Sequence, residues 1–288
     1  MKNTLLAIMM FAMFTVVRRR AATRCYTCAP IQEFLMKPLD DHPLPECHRT
    51  MAQPPDRTQR SPGGGHGTPD ALGPILALTV RRDPSAAPHA VAVAHAVAGA
   101  GLDSDMHADA LSPRQVLLAG APAYRRHDLA PGTMRENILL DVDTATLASG
   151  TLLQLGASVI VQLMFHCEAC GYLDARSPGL ARAIGRERGV LARVLRGGAV
   201  HEGDSVRRLA TTLAPWPDDW RDRVARILAQ VPDSMVVEYR QLARLAGIQA
   251  VYCRALPALA RKLGFANRAV AQHALPELPR WLGETVFD

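Results

Sequence analysis

The sequence predicts a mainly β fold with α: a β-barrel followed by a small helical, winged-helix-like domain. Three observations carry this reading. Short apolar segments alternate with glycine-containing turns across residues 74–214. The apolar period changes to helical spacing after Trp216, which Pro215 and Pro217 flank, so neither a strand nor a helix continues across that point. Aromatics make up only 5% of the chain, against 21 Gly and 21 Pro, which suits a loop-rich barrel better than a helical bundle. A length of 288 residues fits about two domains.

Taken in order, residues 1–73 read as a poorly ordered extension and linker, with Pro54-Pro55 and Ser61-Pro62-Gly63-Gly64-Gly65 as flexible punctuation. Residues 4–17 are apolar, but a spanning helix needs about 20 such residues. The following Arg18-Arg19-Arg20 puts charge on the wrong side for a signal peptide. A cytoplasmic protein is expected, with membrane association through residues 4–17 as the alternative. Strands are predicted at 74–80, 90–98, 114–118, 152–155, 158–165 and 190–194. Gly150, Gly156, Gly197-Gly198 and Gly203-Asp204 punctuate them, and residues 180–186 read as a short helix. Beyond residue 215 three helices are predicted. The first covers 218–230, with Asp218 as N-cap and Trp220, Val224, Ile227 and Leu228 on one face. The second covers 239–245, ended by Gly247, and the third 251–263, ended by Gly264. They form a domain of about 70 residues, near the lower limit for folding alone.

The net charge is +6 and the pI near 9.2, which favours anionic partners: a phosphorylated cofactor, nucleic acid or an anionic membrane. Six Cys are too few in so long a chain for a disulfide scaffold, so reduced thiols are expected. Cys167 and Cys170 form a Cys-x-x-Cys pair at the end of an apolar strand. Such thiols can ligate a metal, exchange as a disulfide or carry a transferable sulfur as a persulfide. They can also serve merely as small buried hydrophobes. Closed zinc sites need four ligands, which Cys25, Cys28, Cys47 and His48 could supply or complete.

Around this pair stands an ordered series. It runs from Gly101-Leu102-Asp103-Ser104-Asp105-Met106-His107 through Ser112-Pro113-Arg114-Gln115-Val116 to Pro131-Gly132-Thr133-Met134-Arg135-Glu136-Asn137-Ile138. After the cysteines come Gly185-Arg186-Glu187-Arg188-Gly189-Val190-Leu191-Ala192-Arg193-Val194 and Gly197-Gly198-Ala199-Val200-His201-Glu202-Gly203-Asp204. This series resembles the MOSC family, the domain at the C-terminus of molybdenum cofactor sulfurases, and the resemblance spans roughly residues 88 to 210. Ser104 departs from the family's Gly before the Asp, and Ser tolerates positive φ less easily than Gly.

The resemblance implies a β-barrel binding a molybdopterin-type cofactor, with a Cys at the position of Cys167 or Cys170 holding sulfur or ligating molybdenum. Cys170 is the favoured position. Arg114, Arg135, Arg188 and Arg193 are candidates to clamp a phosphate, because guanidinium forks match its oxygens. His107, Glu136 and Asn137 lie in loops between strands, where sites concentrate. No stretch reads as the pyridoxal-phosphate domain of a full sulfurase. Sulfur would then come from a donor such as a cysteine desulfurase, or cofactor would be held for a reduction with a redox partner.

The C-terminal helices carry a second resemblance. Tyr239-Arg240-Gln241-Leu242-Ala243-Arg244-Leu245-Ala246-Gly247, followed by Tyr252-Cys253-Arg254-Ala255-Leu256, resembles the DNA-binding part of alkyltransferase-like proteins. Tyr239 and Arg254 fall at that family's Tyr and base-replacing Arg. Ala266 stands where the enzymes have their acceptor Cys, which excludes alkyl transfer. Arg240, Arg244, Arg254 and Arg268 contribute to a run without acidic residues between Tyr239 and Pro276, so DNA is the alternative partner.

Overall fold

The computed structural model describes residues 70–287. The expectations for residues 1–69, including the apolar run at 4–17 and the ligand set Cys25, Cys28, Cys47 and His48, lie outside the described residues. Among the described residues no helix is long and apolar enough to cross a membrane.

Seven strands close into a barrel. Around the ring they run β1 (Asp70–Val80), β11 (Ser205–Thr212), β7 (Thr151–Leu155), β8 (Val159–His166), β9 (Val190–Arg196), β5 (Val116–Gly120) and β6 (Ile138–Leu140), which returns to β1. Every neighbouring pair is antiparallel except β5 and β6. The edge of β1 that meets β11 through its first residues carries the short β2 (His89–Val91) farther along. Val93–Val97 (β3) joins β4 (Gly101–Leu102) and β10 (Gly198–His201) in a small second sheet.

Alternation along the strands sorts side chains to the two faces of the barrel. Val116 and Leu118 of β5 point into the inner core, beside Leu163, Val190 and Ala192. Leu117 and Leu191, which are direct cross-strand partners, point out. Ala119 and Leu139 face a second outer cluster with Tyr124 of α1 (Ala121–Arg126), Leu173 of α2 (Gly171–Asp174) and Leu180 of α3 (Leu180–Ile184). Both faces of β5 and β6 are therefore covered, which is why their sequences are continuous apolar runs rather than alternating ones.

Several boundaries differ from the sequence reading, each for a local reason. The first strand begins at Asp70 rather than residue 74, because Asp70 to Pro74 pair with β11 through a register shift between Ala71 and Gly73. The segment 90–98 is two strands, because β2 pairs with β1 while β3 pairs with β10 and β4. The helix placed at 218–230 is α4 (Trp220–Gln230), and its cap is Asp219, whose side chain accepts from Arg221 N. Asp218 turns away to the backbone N–H of His166. The second helix is α5 (Tyr239–Leu245), as the spacing predicts. The third divides into a 3-10 turn (Ala250–Ala255) and α6 (Leu256–Lys262), with Pro257 in the first turn of α6 where its missing N–H costs nothing. Two short strands, β12 (Val237–Glu238) and β13 (Ala269–Val270), pair in parallel beside these helices.

The helices do not enclose a core of their own. Val224, Ile227 and Leu228 of α4 and Leu242 and Leu245 of α5 share one apolar cluster with Leu117, Met164, Phe165 and Leu191 on the barrel's outer face. At its centre lies Arg223, fully buried at 0% exposure. Its guanidinium donates to Ala246 O (2.8 Å), Pro217 O (3.1 Å), Asp218 O (2.7 Å) and Glu168 Oε1 (2.8 Å), and lies 3.6 Å from the Phe165 ring centre.

Candidate functional site

The paired outer residues Leu117 and Leu191 line a cleft with about 590 Å³ of empty space, part of it open to solvent. Arg81, His107, Arg114, Arg135, Asn137, Cys167, Cys170, Tyr172 and Arg188 complete its lining. Four arginines, one histidine and two thiols thus meet on an apolar floor, with no carboxylate among them.

One wall is fixed by Asp105, whose side chain is fully buried. Its carboxylate accepts from Arg81 N (2.8 Å), His107 N (2.9 Å), His107 Nδ1 (3.0 Å) and Asn137 Nδ2 (2.9 Å). Burial alone would raise its pKa, but the hydrogen bonds from His107 and Arg81 outweigh that and hold it below the ordinary carboxylate value. A carboxylate can only accept, so Nδ1 of His107 carries the proton. Nε2 then presents its lone pair to Arg81 Nη2 at 3.4 Å, at the cavity. Asn137 also accepts from Leu117 N (3.0 Å), tying this wall to β5.

The turn before Asp105 survives its departure from glycine. Ser104 takes up φ +60, the left-handed conformation that a Gly would adopt at less cost. Arg135 is likewise left-handed, at φ +53. Its guanidinium lies 3.7 Å from the centre of the Tyr172 ring, and Arg176 lies 4.7 Å from the same ring.

The arginines of the cleft differ from ordinary surface cations. Arg188 is only 6% exposed, yet its Nε and Nη1 have no hydrogen-bond partner among the described residues. Arg135 Nε and the Tyr172 hydroxyl are buried in the same condition. Burial, and then the charge of Arg135, holds Arg81 below the usual arginine pKa. Arg114 is anchored more firmly, donating to Gly247 O (3.1 Å) and toward Cys167 Sγ (3.6 Å), with Glu168 3.6 Å away.

The two thiols sit differently. Cys167 is 4% exposed, and its N–H donates to Gly189 O at 2.8 Å. Cys170 is partly exposed and immediately precedes α2. Glu168 between them is held by both Arg114 and Arg223. Among the described residues no group of three or more His, Cys, Asp or Glu side chains is arranged to hold a metal ion.

Of the residues chosen from sequence, Cys167, Cys170, His107, Arg114, Arg135, Asn137 and Arg188 meet in this cleft. Glu136 and Arg193 do not line it. Glu136 lies beneath, accepting from the Tyr124 hydroxyl at 2.6 Å, and burial pushes its carboxyl upward. Arg193 donates to Ala110 O (3.0 Å) and Ser112 O (2.8 Å) and covers the Phe287 ring, so it braces a loop. Arg81 and Tyr172 are site residues that sequence reasoning missed. Arg81 directly follows the first strand, whose end could have drawn attention to it, but nothing local marks Tyr172.

The residues chosen for nucleic acid do not form one free basic face. Tyr239 packs into the helical cluster. Arg244 grips Asp109 through two hydrogen bonds of 2.7 and 2.6 Å. Arg268 donates to Val231 O (3.0 Å) past the end of α4 and to Asp233 (2.6 Å). Arg240 and Arg254 are exposed.

Residues 106–207, which run from just before β5 to the start of β11 and include both thiols, match the MOSC domain family. Among solved structures the chain is similar to the YuaD protein from Bacillus subtilis, at 16% identity and TM-score 0.42, covering 50% of this chain and 100% of that one. It is also similar to YiiM from Escherichia coli, at 14% identity and TM-score 0.39, covering 66% and 94% of the two chains. YiiM from Geobacillus stearothermophilus aligns at 15% identity and TM-score 0.38, covering 67% and 99%. No curated protein matches the chain.

Proposed function

We propose that the cleft holds an anionic cofactor or sulfur cargo of the molybdopterin class, with Cys170 as the thiol that carries sulfur or ligates molybdenum. One observation carries this reading: the buried, unpartnered N–H groups of Arg188 and Arg135 beside two thiols. Leaving a buried donor unpaired costs about 1–3 kcal/mol, and more when it is charged. A phosphate or other oxyanion would satisfy those donors with the fork geometry that guanidinium offers. Soft thiolate suits the remaining role, since sulfur and molybdenum both favour it.

The MOSC match supports this chemistry at the level of family association. A bound molybdenum cofactor would supply oxygen-atom or electron transfer at the metal. The chain's own residues do the rest. Arg135 and Arg188 bind and orient the anion. His107, held by Asp105, turns Nε2 to Arg81 and steadies that guanidinium at the cavity. Leu117 and Leu191 keep the floor dry, and Tyr172 backs Arg135. The sulfur would be delivered by a donor protein such as a cysteine desulfurase.

The test is cofactor content and ligand response together. Purified protein should contain molybdenum or oxidised pterin, or take up sulfur from a persulfide donor, and inorganic phosphate should raise its melting temperature. Arg188→Leu should lose the phosphate response while remaining folded, and Cys170→Ser should lose bound sulfur or metal. Wild-type protein without these contents, without sulfur uptake and without a phosphate response would overturn the assignment.

A further inference from the structure

The proposed role uses one thiol, and the cleft contains two. We infer that Cys167 is a resolving thiol, which discharges sulfur from Cys170 as sulfide by forming a Cys167–Cys170 disulfide. This inference rests on the sulfur-carrier reading of the same cleft.

Three observations separate the duties of the pair. First, both line one cavity, three positions apart in one loop, but Cys170 is partly exposed while Cys167 is 4% exposed. The accessible thiol is the one a donor can reach, and the buried one meets only what the cavity already holds. Second, Cys167 is fixed in place. Its N–H is held by Gly189 O, and the next residue, Glu168, is gripped by Arg114 and by the fully buried Arg223. Cys170 instead stands at the N-cap of α2, where its carbonyl accepts from Leu173 N at 2.9 Å and its side chain caps no backbone N–H. Third, Arg114 Nη2 lies 3.6 Å from Cys167 Sγ, so a thiolate formed there has a cation beside it. The hydrogen bond of Arg114 to Gly247 O fixes that cation against the helical layer.

The step balances. A persulfide on Cys170 is attacked at its Sγ by the Cys167 thiolate. The bond between the two cysteine sulfurs forms as the bond to the outer sulfur breaks, and the outer sulfur leaves as hydrosulfide with the electron pair. The two cysteines are oxidised and the transferred sulfur is reduced to sulfide. An external dithiol, small or protein-borne, then returns the disulfide to two thiols. One sulfur is thereby released at the expense of the dithiol itself, and each further round requires a system that can supply two electrons.

The experiment loads full-length protein with glutathione persulfide, removes the excess and follows protein mass and free sulfide. Wild-type protein should release stoichiometric sulfide without added reductant and end as the internal disulfide. Cys167→Ser should gain and retain one sulfur atom, releasing sulfide only when dithiothreitol is added. Cys167→Ala, which keeps a small side chain in the buried site, should behave in the same way. Cys170→Ser should not load. Sulfide release from Cys167→Ser and Cys167→Ala at the wild-type rate, or a wild-type protein that keeps its persulfide, would overturn the resolving role and leave the carrier role standing. A wild-type protein that gains no sulfur at all would overturn the carrier reading, and the resolving role with it.

Discussion

The arginines of the cleft and those of the C-terminal helices look alike in sequence and are opposites in structure. Arg223, Arg244 and Arg268 each have their donors directed at carbonyls or carboxylates of the chain itself. Arg188 and Arg135 keep buried donors unpaired beside an open cavity. The difference teaches what each group is for. A guanidinium satisfied from within holds elements together, whereas one buried and unsatisfied is a cost that a ligand can offset. The largest effects should therefore fall on Arg223, although it touches no ligand. Arg223→Ala would strip partners from three carbonyls and from Glu168, and loss should be about 3–5 kcal/mol by the usual magnitude for breaking a buried pair. Arg188→Leu, by contrast, should leave stability unchanged or raised while abolishing the phosphate response. Urea unfolding of both variants makes the comparison, and equal destabilisation by the two would erase the distinction.

Carboxylates show the same divide on a smaller scale. Asp105 and Glu136 are both buried near the cleft, yet their pKa values move in opposite directions. Asp105 has its hydrogen bonds supplied by Arg81, His107 and Asn137, whereas burial dominates at Glu136. Asp105 therefore contributes stability that is present above its unfolded value near 3.8 and is lost as pH falls through its lower folded value. Asp105→Asn should cost about 1–3 kcal/mol at neutral pH, because one amide hydrogen would face a donor. The variant should also show a flatter acid limb. An acid limb as steep as wild type's, measured by urea midpoints between neutral pH and pH about 3, would contradict this assignment of the acid sensitivity.

How far the sequence reaches follows from these contrasts. Strands such as β8 and β9, and helix α5, are legible because apolar period and turn residues report local geometry. The cysteine pair and most of the cleft are legible because the ordered motif series carries them. Glu136 and Arg193 were indistinguishable from their neighbours Arg135 and Arg188, since a residue's neighbours in sequence do not reveal which way its loop turns. Tyr172 becomes a site residue only because α2 brings its ring beneath Arg135, from the other side of the β7–β8 hairpin in sequence. Asp218 and Asp219 are equivalent as caps in sequence. The pairing of Asp218 with His166, 52 positions away, decides between them.

A smaller test concerns the strained turn. Ser104 at φ +60 occupies a conformation that costs a non-glycine residue about 1–2 kcal/mol. Ser104→Gly removes that cost but loosens the unfolded chain, so the net gain should be about 0.5–1 kcal/mol. The gain should leave the Asp105 hydrogen bonds intact, readable as unchanged phosphate response. A loss of stability would show that Ser104 contributes something other than backbone shape.

The smallest effect belongs to the contact that joins barrel and helices in the open. Arg244, 44% exposed, meets Asp109, 24% exposed, through two short hydrogen bonds. At Asp109 burial pushes the pKa upward, but the hydrogen bond and charge of Arg244 outweigh it, so the net shift is downward. Water and salt screen so open a pair, and exposed ion pairs contribute at most about 1 kcal/mol. A double-mutant cycle with Asp109→Ala and Arg244→Ala should therefore give a coupling of about 0.5–1 kcal/mol, shrinking as salt rises. The contribution of Asp109 should be present above its unfolded value near 3.8 and fade as pH falls through its lower folded value. If the apolar cluster around Arg223 is what fastens the helices to the barrel, neither single variant should detach them. A coupling as large as the loss from Arg223→Ala would instead place the fastening at this exposed pair and make the buried arginine the lesser contact.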